Sequence, residues 1–538
     1  MKPFRFPFLR RPAHQATGLF ALFLISCLIF GGCTPAVPGI VTVTPVSPPP
    51  PATSTPLPPP SPFIEQTALP ALATPLLPPE PPPSLTPDTS TPATPPDLST
   101  SLQDITYHIE VLFDYDNKTL LADQKITFTN RSGRPLETLT LAVEPNRRGG
   151  IFRIERLGVD GVTLTNYTLD RHRLTFIPPV PIPNGASAQI ELNYLLVLPL
   201  IEQGDPNLVR PQIFGYTSRQ VNLTDWYPML VPFDPTSGWL LPDPWYYGEH
   251  LTYPLADFDI RLQFTDPAKA PLVAAGGAAE AGDALTRYTL ENGRTFAFAM
   301  GQTMKSLSGE VNGVIVTSYF FPGFETPGQA VLETTLKAVK TYTELFGPYP
   351  HRTLTAVQGD FNDGMEFDSL YYLSNAFYNL YDRTPNNYLV MVAAHETCHA
   401  WWFGAVANDQ ANHPWLDEAL TTYCERLFYE KNYPQSLAWW QSARIDFFQP
   451  EGKIDGNVPG YGGFTPYTNA TYRQGARFLH ELRERIGDEA FFAFLKDYYA
   501  QMNGKIARPA DFFSILQTHA TVDYSDLVTK YFSTPPLP

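Results

Sequence analysis

Hydrophobic and polar positions change their period along this chain of 538 residues. From about residue 103 to 305 they alternate. Ile105-Thr106-Tyr107-His108-Ile109-Glu110-Val111 and Gln124-Lys125-Ile126-Thr127-Phe128-Thr129 each place apolar side chains at every second position, the pattern of strands with one buried face. Turn formers such as Arg131-Ser132-Gly133-Arg134-Pro135 punctuate the runs. Many short strands of this kind predict an all-β domain, saddle- or sandwich-like, over 103–305. From about 306 the spacing becomes helical. A helix is predicted over 329–346, stopped by Gly347-Pro348. Further helices are predicted over 387–403, 415–431, 471–486, 489–501 and 509–519. The fold class is therefore α+β: an N-terminal β domain, then a mainly helical domain over 306–538.

The first hundred residues follow neither period. Lys2, Arg5, Arg10 and Arg11 precede an apolar run over 18–30, then Gly31-Gly32-Cys33. This is the order of a secretory signal, and the run is too short for an ordinary spanning helix. The segment resembles a bacterial lipoprotein signal over 1–33, which implies cleavage before Cys33 and lipid attachment there. Cys27 is a second possible site, less favoured because it would leave Leu28-Ile29-Phe30 on the mature end. Residues 34–102 form a Pro/Thr/Ser-rich tether holding more than a third of the 57 prolines. It has too little apolar content to build a core, and it reaches on the order of 200 Å when extended. These features predict a protein held outside the cytoplasm, at a membrane, through a lipid anchor or an N-terminal segment. A net charge of −16 without a long basic run argues against a nucleic-acid partner. The pattern assigns no oligomeric state.

Candidate chemistry sits in the helical half. His395-Glu396-Thr397-Cys398-His399 places two imidazoles four residues apart, on one face of a helix. Both can reach one metal ion, and Glu396 leans toward the same edge. After eighteen intervening residues, Trp415-Leu416-Asp417-Glu418 opens a second helix, and Glu418 supplies a third ligand. Three protein ligands with one open position suit a catalytic zinc, one ion per chain. The pentapeptide has only three fixed positions and is weak alone. The uninterrupted apolar run over 388–394 before it strengthens it. Glu425 and Asp417 are candidates to orient a ligand imidazole, with Asp417 read as a solvated helix carboxylate. Cys398 and Cys424 are read as two small buried residues, although an oxidising compartment would also allow a disulfide.

Four segments resemble the M1 family of zinc metallopeptidases, the gluzincin aminopeptidases: HETCHAWWFGAVANDQ over 395–410, WLDEALTTYCE over 415–425, Gly364-Met365-Glu366-Phe367, and Tyr472-Arg473-Gln474-Gly475-Ala476. The likeness extends over about 105–538, strongly in the second half. It implies a β domain capping one side of the site, with 214–230 approaching the cleft, and a thermolysin-like catalytic domain. The large C-terminal helical domain of many family members is expected to be absent, which leaves a more open cleft. It also implies that Glu396 is the general base, that Tyr472 stabilises the oxyanion, and that Gly364, Met365 and Glu366 form the substrate-binding segment. Glu366 would hold the free α-ammonium, so that peptides lose their N-terminal residue. The sequence departs from the family pattern at Asp363, Phe367, Ala419 and Gln474. The first two touch the amine-binding segment and bear on specificity. The leading function is therefore zinc-dependent removal of N-terminal residues from peptides. An endopeptidase on the same scaffold and a non-catalytic surface-binding protein are the alternatives.

Overall fold

The structure, a computed structural model, describes residues 98–201, 213–282, 285–361 and 364–534. The signal with Cys33, the tether as far as residue 97, and Asp363 lie outside the described residues. Among the described residues no helix is long and apolar enough to cross a membrane.

The β half is built on an eight-stranded sheet. Its centre is the antiparallel pair Leu102–Asp114 and Thr119–Asn130. Ser187–Val197 flanks one side, and Ala256–Phe264 lies parallel on the other. The period-two pattern decides which face is inside: Ile105, Tyr107, Ile109, Val111 and Phe113 are buried. Two four-stranded sheets and a two-stranded one complete this half among the described residues. Trp226 and Tyr227, within the segment expected to approach the cleft, are core residues. Trp226 Nε1 donates to the Phe296 carbonyl at 3.1 Å, and the Tyr227 ring meets Tyr107 edge-on at 5.4 Å. Their polar tips are satisfied inside the core, where large aromatics contribute most.

The second half opens with a five-stranded sheet in the order Lys305–Val311, Val314–Phe320, Thr353–Gly359, Leu370–Ser374 and Met365–Phe367. The last is a short antiparallel edge strand that carries Glu366 opposite Tyr371. Helix Glu325–Leu345 packs on this sheet and on helix Tyr388–His399. The Tyr342 hydroxyl donates to the carbonyls of Ala394 and Cys424 at 3.1 Å each, tying both ligand helices to one buried point. The remaining long helices are Trp415–Asn432, Gly475–Ile486, Asp488–Met502 and Pro509–His519.

Three local readings change. The helix expected over 387–403 ends as a regular α-helix at His399 and continues as a π-helical turn, Ala400–Ala405. Buried Arg294, from the β half, takes the carbonyls of Gly404 (3.0 Å), Ala405 (3.3 Å), Lys505 (3.0 Å) and Tyr253 (3.0 Å). The last carbonyls of a helix have no partner within it, and the guanidinium satisfies those of Gly404 and Ala405. A second π-helical turn, Asn469–Gln474, begins the helix expected at 471 and carries Tyr472. Finally, Cys398 and Cys424 are disulfide-bonded rather than free. They lie on facing helices with Cα atoms 6.4 Å apart, within bonding reach.

Candidate metal centre and peptide cleft

Helix Tyr388–His399 begins at Asn387, whose side chain accepts from the Leu389 amide at 2.8 Å. Its body is apolar and almost wholly buried, so His395 and His399 reach the centre from a rigid support. Helix Trp415–Asn432 follows Pro414 and holds Asp417 and Glu418 in its first turn, where the helix dipole favours negative charge. The two helices bring His395, His399 and Glu418 together, with ligating atoms within 4.8 Å of one another and all three residues buried. Glu418 Oε2 lies 3.4 Å from His395 Nε2 and 3.9 Å from His399 Nε2. It has no protein hydrogen-bond partner.

Three buried donor atoms facing one point, one of them an unsatisfied carboxylate oxygen, fit a zinc ion. Ligands about 2.0–2.1 Å from a tetrahedral ion stand roughly 3.3 Å apart. Each imidazole is fixed from behind. His395 Nδ1 pairs with Glu425 Oε1 at 2.8 Å, and His399 Nδ1 pairs with Asp417 Oδ1 at 2.8 Å. These contacts leave both Nε2 atoms for the metal. Asp417 is thus no solvated carboxylate. It is 1% exposed, and Gln410 Nε2 donates to its second oxygen at 3.2 Å. Glu425 is wholly buried and is charge-balanced by Arg444, whose Nε and Nη2 reach it at 2.9–3.1 Å. Burial works against the Glu425 carboxylate, but Arg444 and His395 outweigh it and hold its pKa below the ordinary value.

The other sequence-assigned residues surround this centre. Tyr472 donates to Glu418 Oε1 at 2.6 Å, and its ring stacks on His395 with centroids 6.1 Å apart. Burial and the neighbouring Glu418 carboxylate raise its pKa well above the usual tyrosine value, so the hydroxyl stays a donor. Glu396 and Glu366 are both buried, and with His399 they form a second group whose polar atoms lie within 4.8 Å of one another. Glu366 Oε2 is 4.0 Å from His399 Nε2. Burial drives the Glu366 pKa upward, so its pocket disfavours a lone carboxylate and suits one paired with a cation. Gly364 is required for space: a Cβ there would stand 2.5 Å from Glu396 Oε1. Met365 is buried beside Phe367, whose ring meets Tyr372 edge-on at 6.1 Å. Gly475 serves close approach as well, since a Cβ there would come within 2.3 Å of the Ala419 Cβ. That contact sets the distance between the Glu418 helix and the Tyr472 segment.

A cleft of about 360 Å³ adjoins the centre and is lined by Glu366, Met365, Phe367, Phe214, Tyr246 and Glu249, among others. Sequence reasoning missed Glu249. Its carboxylate groups with those of Glu366 and Glu418 within 4.8 Å, which places a second carboxyl group beside Glu366. Residue 249 lies in an irregular loop with no periodic pattern to mark it.

The family model described as the Peptidase family M1 domain matches residues 330–531. A leucine aminopeptidase 2 of Aspergillus fumigatus is 30% identical over 122 residues, which cover 21% of this chain and 20% of that protein. Aminopeptidase M1-D of rice, Oryza sativa subsp. japonica, is 23% identical over 244 residues, covering 42% and 28% respectively. The matched stretches are thus less than a third of these relatives' lengths. In fold, the chain resembles the crystal structure of an M1 zinc metallopeptidase from Deinococcus radiodurans, with TM-score 0.60 and 19% identity, over 81% of this chain and 95% of that one. A variant of that enzyme solved with a Tyr-Ser-Ala substrate gives TM-score 0.59 at 18% identity. The two-domain architecture and the buried His-His-Glu centre agree with these matches, and residues 330–531 carry a Peptidase family M1 domain.

Proposed function

We propose that this protein is a zinc aminopeptidase acting on peptides outside the cytoplasm, held at a membrane by a lipid on Cys33. The carrying observation is the pairing of an open His395/His399/Glu418 centre with the buried Glu366 carboxylate 4.0 Å from His399. Zinc, when bound, supplies a Lewis acid for the scissile carbonyl and lowers the pKa of a water nucleophile. Glu396 takes the proton of the attacking water and delivers it to the leaving nitrogen. Tyr472 turns its hydroxyl from Glu418 to the carbonyl oxygen as negative charge develops there, an interaction strongest in the transition state. Glu366, reinforced by Glu249, binds the α-ammonium in a desolvated corner through a charge-assisted hydrogen bond. That anchor sits beside the metal, so one residue fits between ammonium and scissile bond. The tripeptide held by the Deinococcus radiodurans variant supports a short free-amine substrate. The extracytoplasmic placement rests on the signal-like residues 1–33 and the tether after them.

The test is hydrolysis of aminoacyl-arylamides by the purified full-length protein, with zinc content measured alongside. Turnover that requires zinc, stops on N-acetylation and is lost in Glu396→Gln is the expected result. Equal cleavage of free and N-acetylated peptides would replace this reading with an endopeptidase. Labelling with radioactive palmitate that is lost in Cys33→Ala tests the anchor.

A further inference from the structure

A second cluster of metal-type donors lies in the β half, apart from the zinc centre. Glu144 comes from the short turn Glu144–Arg147, His172 from the turn between strands Tyr167–Asp170 and Arg173–Phe176, and His250 from the irregular stretch before Ala256. Their donor atoms lie within 4.8 Å of one another, the same limit that the zinc triad meets. His250 Nε2 stands 3.2 Å from Glu144 Oε1, close to the roughly 3.3 Å between ligands of a tetrahedral ion. An ordinary His–Glu pair would account for that contact alone. It does not account for His172, which is 1% exposed and has neither ring nitrogen in a hydrogen bond. The Pro242 carbonyl lies nearby, but without hydrogen-bond geometry. An imidazole buried with both nitrogens unsatisfied is costly. A cation between the three residues removes that cost.

We infer that Glu144, His172 and His250 form a second metal site that takes a first-row divalent cation, with Zn²⁺ the best match. Two imidazoles and one carboxylate are donors of intermediate softness, suited to such ions rather than to Ca²⁺ or Mg²⁺. Arg147 Nη1 binds Glu144 Oε2 at 3.1 Å and orients the carboxylate with Oε1 toward the imidazoles. Glu144 and His250 also line the cleft that holds Glu366, and residue 250 follows Glu249 directly. The ion therefore pins the loop bearing Trp245, Tyr246 and Glu249 against the β half, fixing the cleft wall that faces the peptide's amine end.

The full-length protein, stripped with a chelator and titrated with Zn²⁺ alone, reads this directly by elemental analysis. Two zinc ions per chain are expected. His172→Gln and Glu144→Gln, which keep side-chain length and remove a ligand, each reduce the count to one. A variant with His395→Gln and His399→Gln leaves the β half untouched and retains one ion, so the site stays readable even where a β-half variant fails to fold. In that double variant, zinc slows amide hydrogen exchange in residues 241–253. One ion in the wild type, none in the double variant, or two retained in folded His172→Gln would each overturn the site. Unchanged exchange would overturn the pinning of the loop.

Discussion

Glu425→Gln tests how much of the zinc centre is held from behind. Four donor groups converge on the two Glu425 oxygens: His395 Nδ1 at 2.8 Å, Trp440 Nε1 at 2.8 Å, and Arg444 Nε and Nη2 at 2.9–3.1 Å. A carboxamide keeps the shape but loses the charge, and it turns one acceptor into a donor. Whichever way it is placed, at least one N–H faces another N–H, and Arg444 becomes a cation of low exposure without its counter-ion. Breaking a buried pair from one side costs about 3–5 kcal/mol. The retained shape and remaining bonds place this case at the low end, about 3 kcal/mol. Separately, loss of the group that orients a ligand imidazole lowers metal affinity about 10–100-fold, roughly 1.4–2.7 kcal/mol.

These two effects are separable. Urea unfolding of the metal-free protein reports the ion pair alone. Chelator competition reports the zinc dissociation constant. Asp417→Asn is the matched comparison: it weakens the hold on His399 Nδ1 without stranding an arginine, so its affinity loss should resemble that of Glu425→Gln while its metal-free stability changes less. A Glu425→Gln protein whose zinc affinity stays within threefold of wild type, with an unchanged urea midpoint, would refute the account of Glu425 as both charge partner and ligand support.

The remaining predictions concern the chemistry and the frame. Glu396→Gln should lower arylamide turnover at least 100-fold, the low end of general-base contributions, while bound zinc measured by elemental analysis stays the same. Gly364→Ala should cost about 100-fold in turnover, because its Cβ would press on Glu396 at 2.5 Å. An unchanged rate would show that the Glu366 segment yields freely. Cys398→Ser with Cys424→Ser should lose about 3.5 kcal/mol by loop-closure entropy for a 26-residue separation. Reductant should lower the wild-type unfolding free energy, read from urea unfolding, by a like amount and leave the double variant unaffected.

The parts of this protein legible from sequence are those set by local geometry. The i,i+4 pair of imidazoles needs only one helix, and the apolar run over 388–394 announces that helix. Helix 509–519 was bounded by its proline at the start and matches the observed Pro509–His519. The alternation in Leu102–Asp114 identified the buried face. Readings that needed two elements at once were less secure. Asp417 and Glu418 are neighbours pointing about 100° apart on a helix, so nothing local says that both serve His399. Asp417 takes Nδ1 from behind the ring, while Glu418 faces its metal side. Glu249, His172 and His250 sit on turns and loops without periodicity, where position follows from tertiary packing alone.

The disulfide belongs between these cases. Glu425 was a candidate to orient an imidazole, and His395 is the ring it holds. Glu418 and Asp417 meet His399, four residues further along the first helix. Contacts 395 with 425 and 399 with 417–418 mean that one helix number rises as the other falls, so the ligand helices run antiparallel. Residue 398 lies between them, and its observed partner on the second helix is Cys424. Cys424 falls one position from Glu425. The metal chemistry, once both supporting carboxylates are granted, sets the two helices face to face. That arrangement brings the cysteines together, and their identity as two small buried residues was the weaker reading because it treated each helix alone.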